Sequence, residues 1–412
     1  MQNKPKVLFV SVNFFSPEFL DGCNKIIYNL LLEKELYQST FISMHSGKLA
    51  SSEEVEKFSH LTIKKFDRYV KTPHKLNKDL QWIIGQPTVS LPKKEAYHFS
   101  KKVAQLAQDQ DIIYLSSLSL ASCLPYLPSN MHRKVILAAI DSYSMYTERR
   151  ITQQKNPIKK ALLKRELRIS KKFESMAYKL AARTTFVSPE DLNFTQKRFP
   201  IGRYIHIPLG VNTDYFHPAP KTTVAKLNQI IFTGNLGYAP NKDVCYFLVN
   251  EVLPLLEKKV PDIKLVLAGA NPPEELLARK NPRVIITGRV DDLRPLIWES
   301  ALFVCPLRFG AGMKNKILEI FAMEKPFICS ELSLHGIEVG VKLDEFIVKD
   351  LSPELWSELI SETLLKKVDN KELVSPSLRK YMESYYSWHS ARKNLDLLIG
   401  QLNAEECTEH NK

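Results

Sequence analysis

The chain alternates short, almost unbroken apolar runs with longer segments of helical period. Runs at 7–12, 40–44, 111–115, 134–140, 184–187 and 204–207 occupy the first half, and runs at 229–232, 263–267, 283–286, 301–304, 326–329 and 345–348 the second. Runs of this length, apolar without alternation, suit strands covered on both faces of a parallel sheet. Amphipathic segments such as 25–36, 244–258 and 317–323 fall between them. Strands in regular alternation with helices predict an α/β chain with right-handed crossovers. The series is interrupted once, at the turn-rich stretch from Pro208 through Gly210 to Pro218 and Pro220, and a new strand begins near Gln229. We therefore expect two doubly wound domains, 1–207 and 208–377, closed by a C-terminal helix and tail over 378–412.

The length of 412 residues fits two to three domains at roughly 100–200 residues each. No run approaches the ~20 apolar residues of a membrane-spanning helix. Lys4 and Lys6 precede a strand-like stretch that breaks at Asn13, which is a poor secretory signal. The six cysteines are scattered without a Cys-x-x-Cys pair, so neither a zinc site nor a disulfide framework is expected, and a reducing cytoplasm fits.

Charge adds a partner class. Lys plus Arg number 58 against 45 Asp plus Glu, a net +13, which favours an anionic partner. The excess concentrates at 149–172, with ten basic residues and one acid, Glu166. Leu163, Leu167, Phe173, Ala177 and Leu180 recur at helical spacing, so the segment reads as one amphipathic basic helix. It is either a packing helix with a solvated basic back or a surface for anionic lipid headgroups, worth about 1 kcal/mol per well-placed cation. No aromatic residues interleave with the charges as a nucleic-acid stacking platform requires, so nucleic acid is not an expected partner.

In doubly wound sheets, ligands bind beyond the carboxyl ends of the strands. After the first strand, Gly22 and Asn24 lead into a helix whose N–H groups a substrate can approach; the spacing is not Gly-x-Gly-x-x-Gly, so no dinucleotide site is indicated. After 229–232 comes Thr233-Gly234-Asn235-Leu236-Gly237 and then Asn241 and Asp243. Such a loop presents amides to a phosphate, or is an ordinary turn with Asn241 or Asp243 as the helix cap. The densest signal runs from Pro306 to Met323. Gly310 and Gly312 form a flexible loop, and Lys314 and Lys316 stand in the first turn of the helix that follows. Cations there oppose the helix dipole, and a bound polyanion would compensate. Glu319, three residues past Lys316, can share its face and take sugar hydroxyls.

The segment Gly310-Ala311-Gly312-Met313-Lys314-Asn315-Lys316-Ile317-Leu318-Glu319 resembles the donor-site signature of group 1 (family 4) glycosyltransferases of the GT-B fold. Further matches follow the same order: Ile207 to Phe216, Thr233 to Asp243, Thr287-Gly288-Arg289-Val290-Asp291-Asp292, Val187 to Asp191, and Trp388. The resemblance implies two Rossmann-like domains facing across a cleft, with the C-terminal helix packing back toward the first. It implies a retaining sugar transfer from a nucleotide-sugar bound by the second domain to a glycan or lipid-linked acceptor bound by the first, in cell-surface polysaccharide or glycolipid synthesis. Gly234 and Asn235 would line the diphosphate with Lys316 as counter-charge. Gly310, Gly312, Met313 and Lys314 would offer loop amides, Arg289 and Val290 would frame the base, and Glu319 would hold the ribose. His335 and Gly336 would lie near the donor sugar. No cofactor and no metal is implied.

The chain departs from the family pattern at several positions. Ala311 stands where a glutamate is frequent, and Glu324 where glycine is usual. The loops after the strands at 111–115 and 134–140 lack the histidine often found near the anomeric carbon, which leaves Asp141, just past a strand end, as the catalytic candidate there. Two other functions share the fold: a catalytically inactive relative that binds a nucleotide-sugar or glycan, and a nucleotide-sugar 2-epimerase, whose cleft carboxylates and histidines these segments do not supply. A cytoplasmic enzyme docked on the inner membrane face through 149–172 is the expected setting.

Overall fold

The computed structural model describes residues 4–15, 22–32, 36–45, 52–66, 85–278, 281–310, 312–340, 343–366 and 376–410. The backbone divides into two compact units, Met1–Gly210 with Trp388–Lys412, and Val211–Ser387.

Unit one is built on β1 (Lys6–Ser11), β2 (Gln38–Ser43), β3 (Thr62–Lys64), β4 (Ile112–Leu115), β5 (Val135–Ile140), β6 (Arg183–Phe186) and β7 (Tyr204–His206). They form one parallel sheet in the order β3-β2-β1-β4-β5-β6-β7. Val7 to Val10 and Val135 to Leu137 are 0% exposed, which is why these strands read as unbroken apolar runs. Strand β3 was not expected. It has three residues at the sheet edge and a largely exposed face, so it carries no apolar run.

The basic segment differs from the expected single helix. Helix Tyr143–Gln153 ends, and a new helix, Pro157–Leu180, begins after Asn156, whose side chain accepts from Lys159 N at 3.0 Å. Proline at the first helical position completes this start. The two acids of the second helix turn inward. Glu166 accepts from Thr88 N and Oγ1, both at 2.8 Å, and Glu174 accepts from Tyr178 OH at 2.9 Å and from Ser144. Burial pushes the Glu174 carboxyl above its ordinary range, against the pull of those donors.

The C-terminal segment is likewise two helices, Pro376–Tyr385 and Trp388–His410, rather than one continuous run. The first belongs to unit two and the second to unit one. Between them Tyr386 O accepts from Val211 N at 2.6 Å, which takes the carbonyl out of a helical ladder. Trp388, Leu395, Leu398 and Ile399 are buried in unit one. A Cβ on Gly210 would stand 2.5 Å from Trp388 Cδ2, so the tryptophan can seat only against glycine.

Unit two holds β8 (Lys226–Thr233), β9 (Lys264–Ala268), β10 (Val284–Gly288), β11 (Ser300–Cys305), β12 (Phe327–Ser330) and β13 (Ile347–Val348). These are parallel in the order β10-β9-β8-β11-β12-β13. Counted within the unit, this is the 3-2-1-4-5-6 order of a Rossmann sheet, and unit one repeats it with a seventh strand. Strand order reverses between β8 and β11 in unit two and between β1 and β4 in unit one. The loops leaving those strands are where such sheets bind ligands. Among the described residues, no helix is long and apolar enough to cross a membrane.

Candidate functional site

At the switch point of unit two, the β8 and β11 loops are joined by one side chain. Lys316, in the first turn of helix Asn315–Ala322, donates from Nζ to Asn241 Oδ1 at 2.7 Å. The same ammonium lies 4.1 Å from the centroid of the Phe232 ring at the end of β8. Asn241 in turn donates from Nδ2 to Asn235 O at 2.8 Å. Burial lowers the Lys316 pKa from its ordinary 10.5, reinforced by the charge of Lys314 and opposed by Cys305, Cys245 and Glu319. A cation held in a half-buried loop cluster is poised for an incoming anion.

The backbone of this edge is built around glycines. Gly234 (φ +145°), Gly269 (φ +146°) and Gly288 (φ +66°) end the adjacent strands β8, β9 and β10. Gly234 N donates to Ala268 O at 3.0 Å and Gly269 N to Gly288 O at 3.1 Å, so the three turns are stitched side by side. A Cβ on Gly234 would lie 2.9 Å from Lys316 Nζ, which keeps that residue bare beneath the ammonium. Asn235 Oδ1 accepts from Gly237 N at 3.1 Å and from Asn271 Nδ2 at 3.2 Å, holding its side chain in the loop.

On the β11 side, Gly310 (φ +143°) and Gly312 (φ +71°) shape the loop. Met313 is buried and Lys314 donates to Gly312 O. Lys314 occupies the cap position before the helix, not its first turn as expected, so only Lys316 opposes the helix dipole from within. Ala311 lies outside the described residues. Arg308 grips Asp243 with two bonds, Nε to Oδ2 at 2.7 Å and Nη2 to Oδ1 at 2.5 Å. This bidentate pair fastens the β11 loop to helix Ala239–Phe247. Neither Arg308 nor the Asn241 anchor was singled out from sequence. Asn241 was weighed as a helix cap; the cap position is Tyr238, and Asn241 serves the lysine instead.

Other expected residues sit on the same carboxyl edge of unit two. Arg289 is exposed and Val290 half-buried just past β10, while His335 and Gly336 (φ +82°) follow β12. Ser330 Oγ donates to Leu307 O at 2.7 Å and Ser333 Oγ to Cys305 O at 2.8 Å, binding the β12 loop to that of β11. Glu319 is half-buried in the helix that carries Lys316.

In unit one, helix Gly22–Leu31 starts at Gly22 and buries Asn24 to 3% exposure. Asp141 follows β5. Its N–H donates to Ala139 O at 2.9 Å across Ile140, whose φ of +70° is costly for a β-branched residue. A strained turn at a strand end is the kind of geometry that functional sites retain. The cap of the next helix is Ser142, not Asp141.

Residues 228–366 match the family described as glycosyl transferases group 1. No curated protein matches the chain. Solved structures match over nearly its whole length. Sucrose-phosphate synthase from Thermosynechococcus elongatus shares 13% identity at a TM-score of 0.69, covering 97% of this chain and all 100% of that one. HepE from Anabaena, in complex with UDP and glucose, shares 14% at 0.63 over 96% and 99%. TarM shares 10% at 0.66 over 96% and 98%. At these identities the likeness shows the fold, which is GT-B, with two parallel-sheet Rossmann-like domains. The match to group 1 glycosyltransferases lies within unit two, over residues 228–366, and the rest of the chain shares the fold alone with the GT-B structures.

Proposed function

We propose that unit two binds the nucleoside diphosphate of the donor at the β8–β11 switch point. Lys316 neutralises the diphosphate, and the Gly234–Asn235 and Gly310–Met313 loops supply amides. Arg289 and Val290 frame the base, and Glu319 takes the ribose hydroxyls. His335 and Gly336 border the donor sugar. The observation that carries this reading is the Lys316–Asn241–Asn235 chain, which sets a cation with a depressed pKa over a bare glycine turn. HepE, similar in fold, is described in complexes with UDP and UDP-glucose, which favours a uridine nucleotide among the candidates.

In the transfer, the bond between the sugar's anomeric carbon and the diphosphate oxygen breaks. The acceptor oxygen bonds to that carbon with retention, and the acceptor proton leaves for the departing diphosphate. Lys316 acts most strongly as charge develops on the leaving group, because a preorganised cation in a partly dry site stabilises the transition state more than the ground state. Asp141, with Gly22 and Asn24, serves the acceptor side in unit one. The acceptor is a glycan or lipid-linked molecule of a surface polysaccharide or glycolipid. The enzyme works in the cytoplasm, held reversibly on an anionic membrane face by the exposed cations of helix Pro157–Leu180.

The test incubates the full chain with a panel of nucleotide-sugars and lipid-linked or glycan acceptors, following free nucleotide and the anomeric configuration of product. Acceptor-dependent nucleotide release with retained configuration is expected. Donor binding without release under every acceptor favours the inactive relative. Co-sedimentation with anionic but not neutral vesicles, lost at high salt, is the expected membrane behaviour.

A further inference from the structure

A groove with a ligand-sized cavity lies in unit one. Helices Lys93–Leu106 and Pro157–Leu180 and the turns of Leu118–Tyr126 border a space of about 430 Å³. Small-molecule sites run from roughly 300 to 1,000 Å³. Leu91, Ala96, Ile169, Phe173 and Met176 give it an apolar wall. Two serines set among them are spent internally: Ser90 Oγ donates to Pro87 O at 2.8 Å, and Ser122 Oγ accepts from Leu91 N at 2.9 Å.

Three exposed cations rim this wall, Lys93, Arg168 and Lys172. Among the described residues none of them forms an ion pair. The acids of the same helix, Glu166 and Glu174, are buried among hydroxyls and amides and do not neutralise the rim. Neighbouring Lys171 is taken by Glu148 at 3.0 Å. An apolar trough with an uncompensated positive edge is complementary to one chemistry: a long hydrocarbon chain ending in an anion. Toward the start of the same helix, Ile158 and Leu162 are 71% and 47% exposed beside Lys159, Lys160 and Lys164, an interfacial pattern.

We propose that this groove binds a single-chain lipid phosphate, its hydrocarbon against Leu91, Ile169 and Phe173 and its phosphate on Lys93, Arg168 and Lys172. The site deepens the membrane reading of this helix, yet its test needs no membrane, so either can fail alone. Dodecyl phosphate, kept below its micelle-forming concentration, is titrated into the full chain by calorimetry. One saturable site is expected, with dodecyl maltoside and inorganic phosphate each at least about tenfold weaker, since each lacks half of the complementarity. Arg168→Gln with Lys172→Gln should weaken dodecyl phosphate about tenfold or more, through loss of charge-assisted bonds. Ile169→Trp, which fills the trough from a half-buried position, should do the same. Circular dichroism and a thermal melt establish that both variants are folded. Lys159→Gln with Lys160→Gln should leave dodecyl phosphate binding unchanged while weakening vesicle binding. Affinity that survives either groove replacement, or that inorganic phosphate alone matches, overturns the proposal.

Discussion

Lys316→Met separates the cost of the buried cation from its use. In the free protein the ammonium has one bond, to Asn241 Oδ1, and one aromatic face, Phe232, and burial disfavours its charge. Methionine keeps most of the chain's bulk and removes that unfavourable charge, so the melting temperature should hold or rise. Turnover should behave in the opposite way. Losing one preorganised donor to a leaving group costs roughly 2.7–4 kcal/mol, or about 10²–10³-fold in kcat. The pH dependence follows from the same geometry. A lysine whose folded pKa is depressed burdens the fold with its charge below that pKa, and the burden fades as pH rises toward the unfolded value of 10.5. A diphosphate binds the charged form, so nucleotide affinity should be full below the folded pKa and fall as pH rises through it, with proton uptake on binding. The methionine variant should lose both the affinity and its alkaline fall. The assays are nucleotide release at saturating donor, calorimetric titration of UDP across pH, and a thermal melt. A variant with wild-type turnover and an unchanged pH profile would refute the donor-site reasoning. One that lost activity only by unfolding would place Lys316 among the residues that hold the fold.

Other perturbations test neighbouring parts. Glu319→Gln should weaken UDP and the full donor alike, by about 1.5–3 kcal/mol if the carboxylate accepts ribose hydroxyls; unchanged calorimetric affinity would leave it a structural helix residue. Gly269→Ala should destabilise the protein by about 2–4 kcal/mol in denaturant unfolding, because its Cβ would fall 1.7 Å from Gly234 O at a φ of +146°. Glu324→Gly should raise stability by about 1 kcal/mol, since Glu324 holds φ +50° just past helix Asn315–Ala322; a lowered melting temperature would show that its side chain contributes more than its backbone costs.

The central strands of both sheets were legible because a strand covered on both faces is apolar along most of its length, as in β1, β5 and β11, a property of each segment by itself. Strand β3 escaped for the converse reason: three residues at an edge bury too little to leave a pattern. The division of the basic segment is written locally at Asn156-Pro157, a cap followed by a proline at the first helical position, within a run of cations whose helical period spans the break. At the site, the glycines and the lysine against the helix dipole could be read locally, since each is a departure from what its own element prefers. Glu324 stood out as a replaced glycine, and its positive φ supplies the physical reason that glycine suits the position.

Pairings across long stretches of chain could not be read in this way. That Lys316 would rest on Asn241, or Arg308 on Asp243, depends on β8 and β11 lying side by side, and only the sheet order establishes that. The groove of unit one has the same origin. Lys93, Arg168 and Lys172 are unremarkable surface cations in the sequence, and they acquire a common apolar trough only when two helices and a turn-rich segment pack together. Local sequence determines which segments become strands and helices, because burial and backbone preference act within a few residues. Tertiary packing determines which side chains share a site, because that depends on distances no single segment contains.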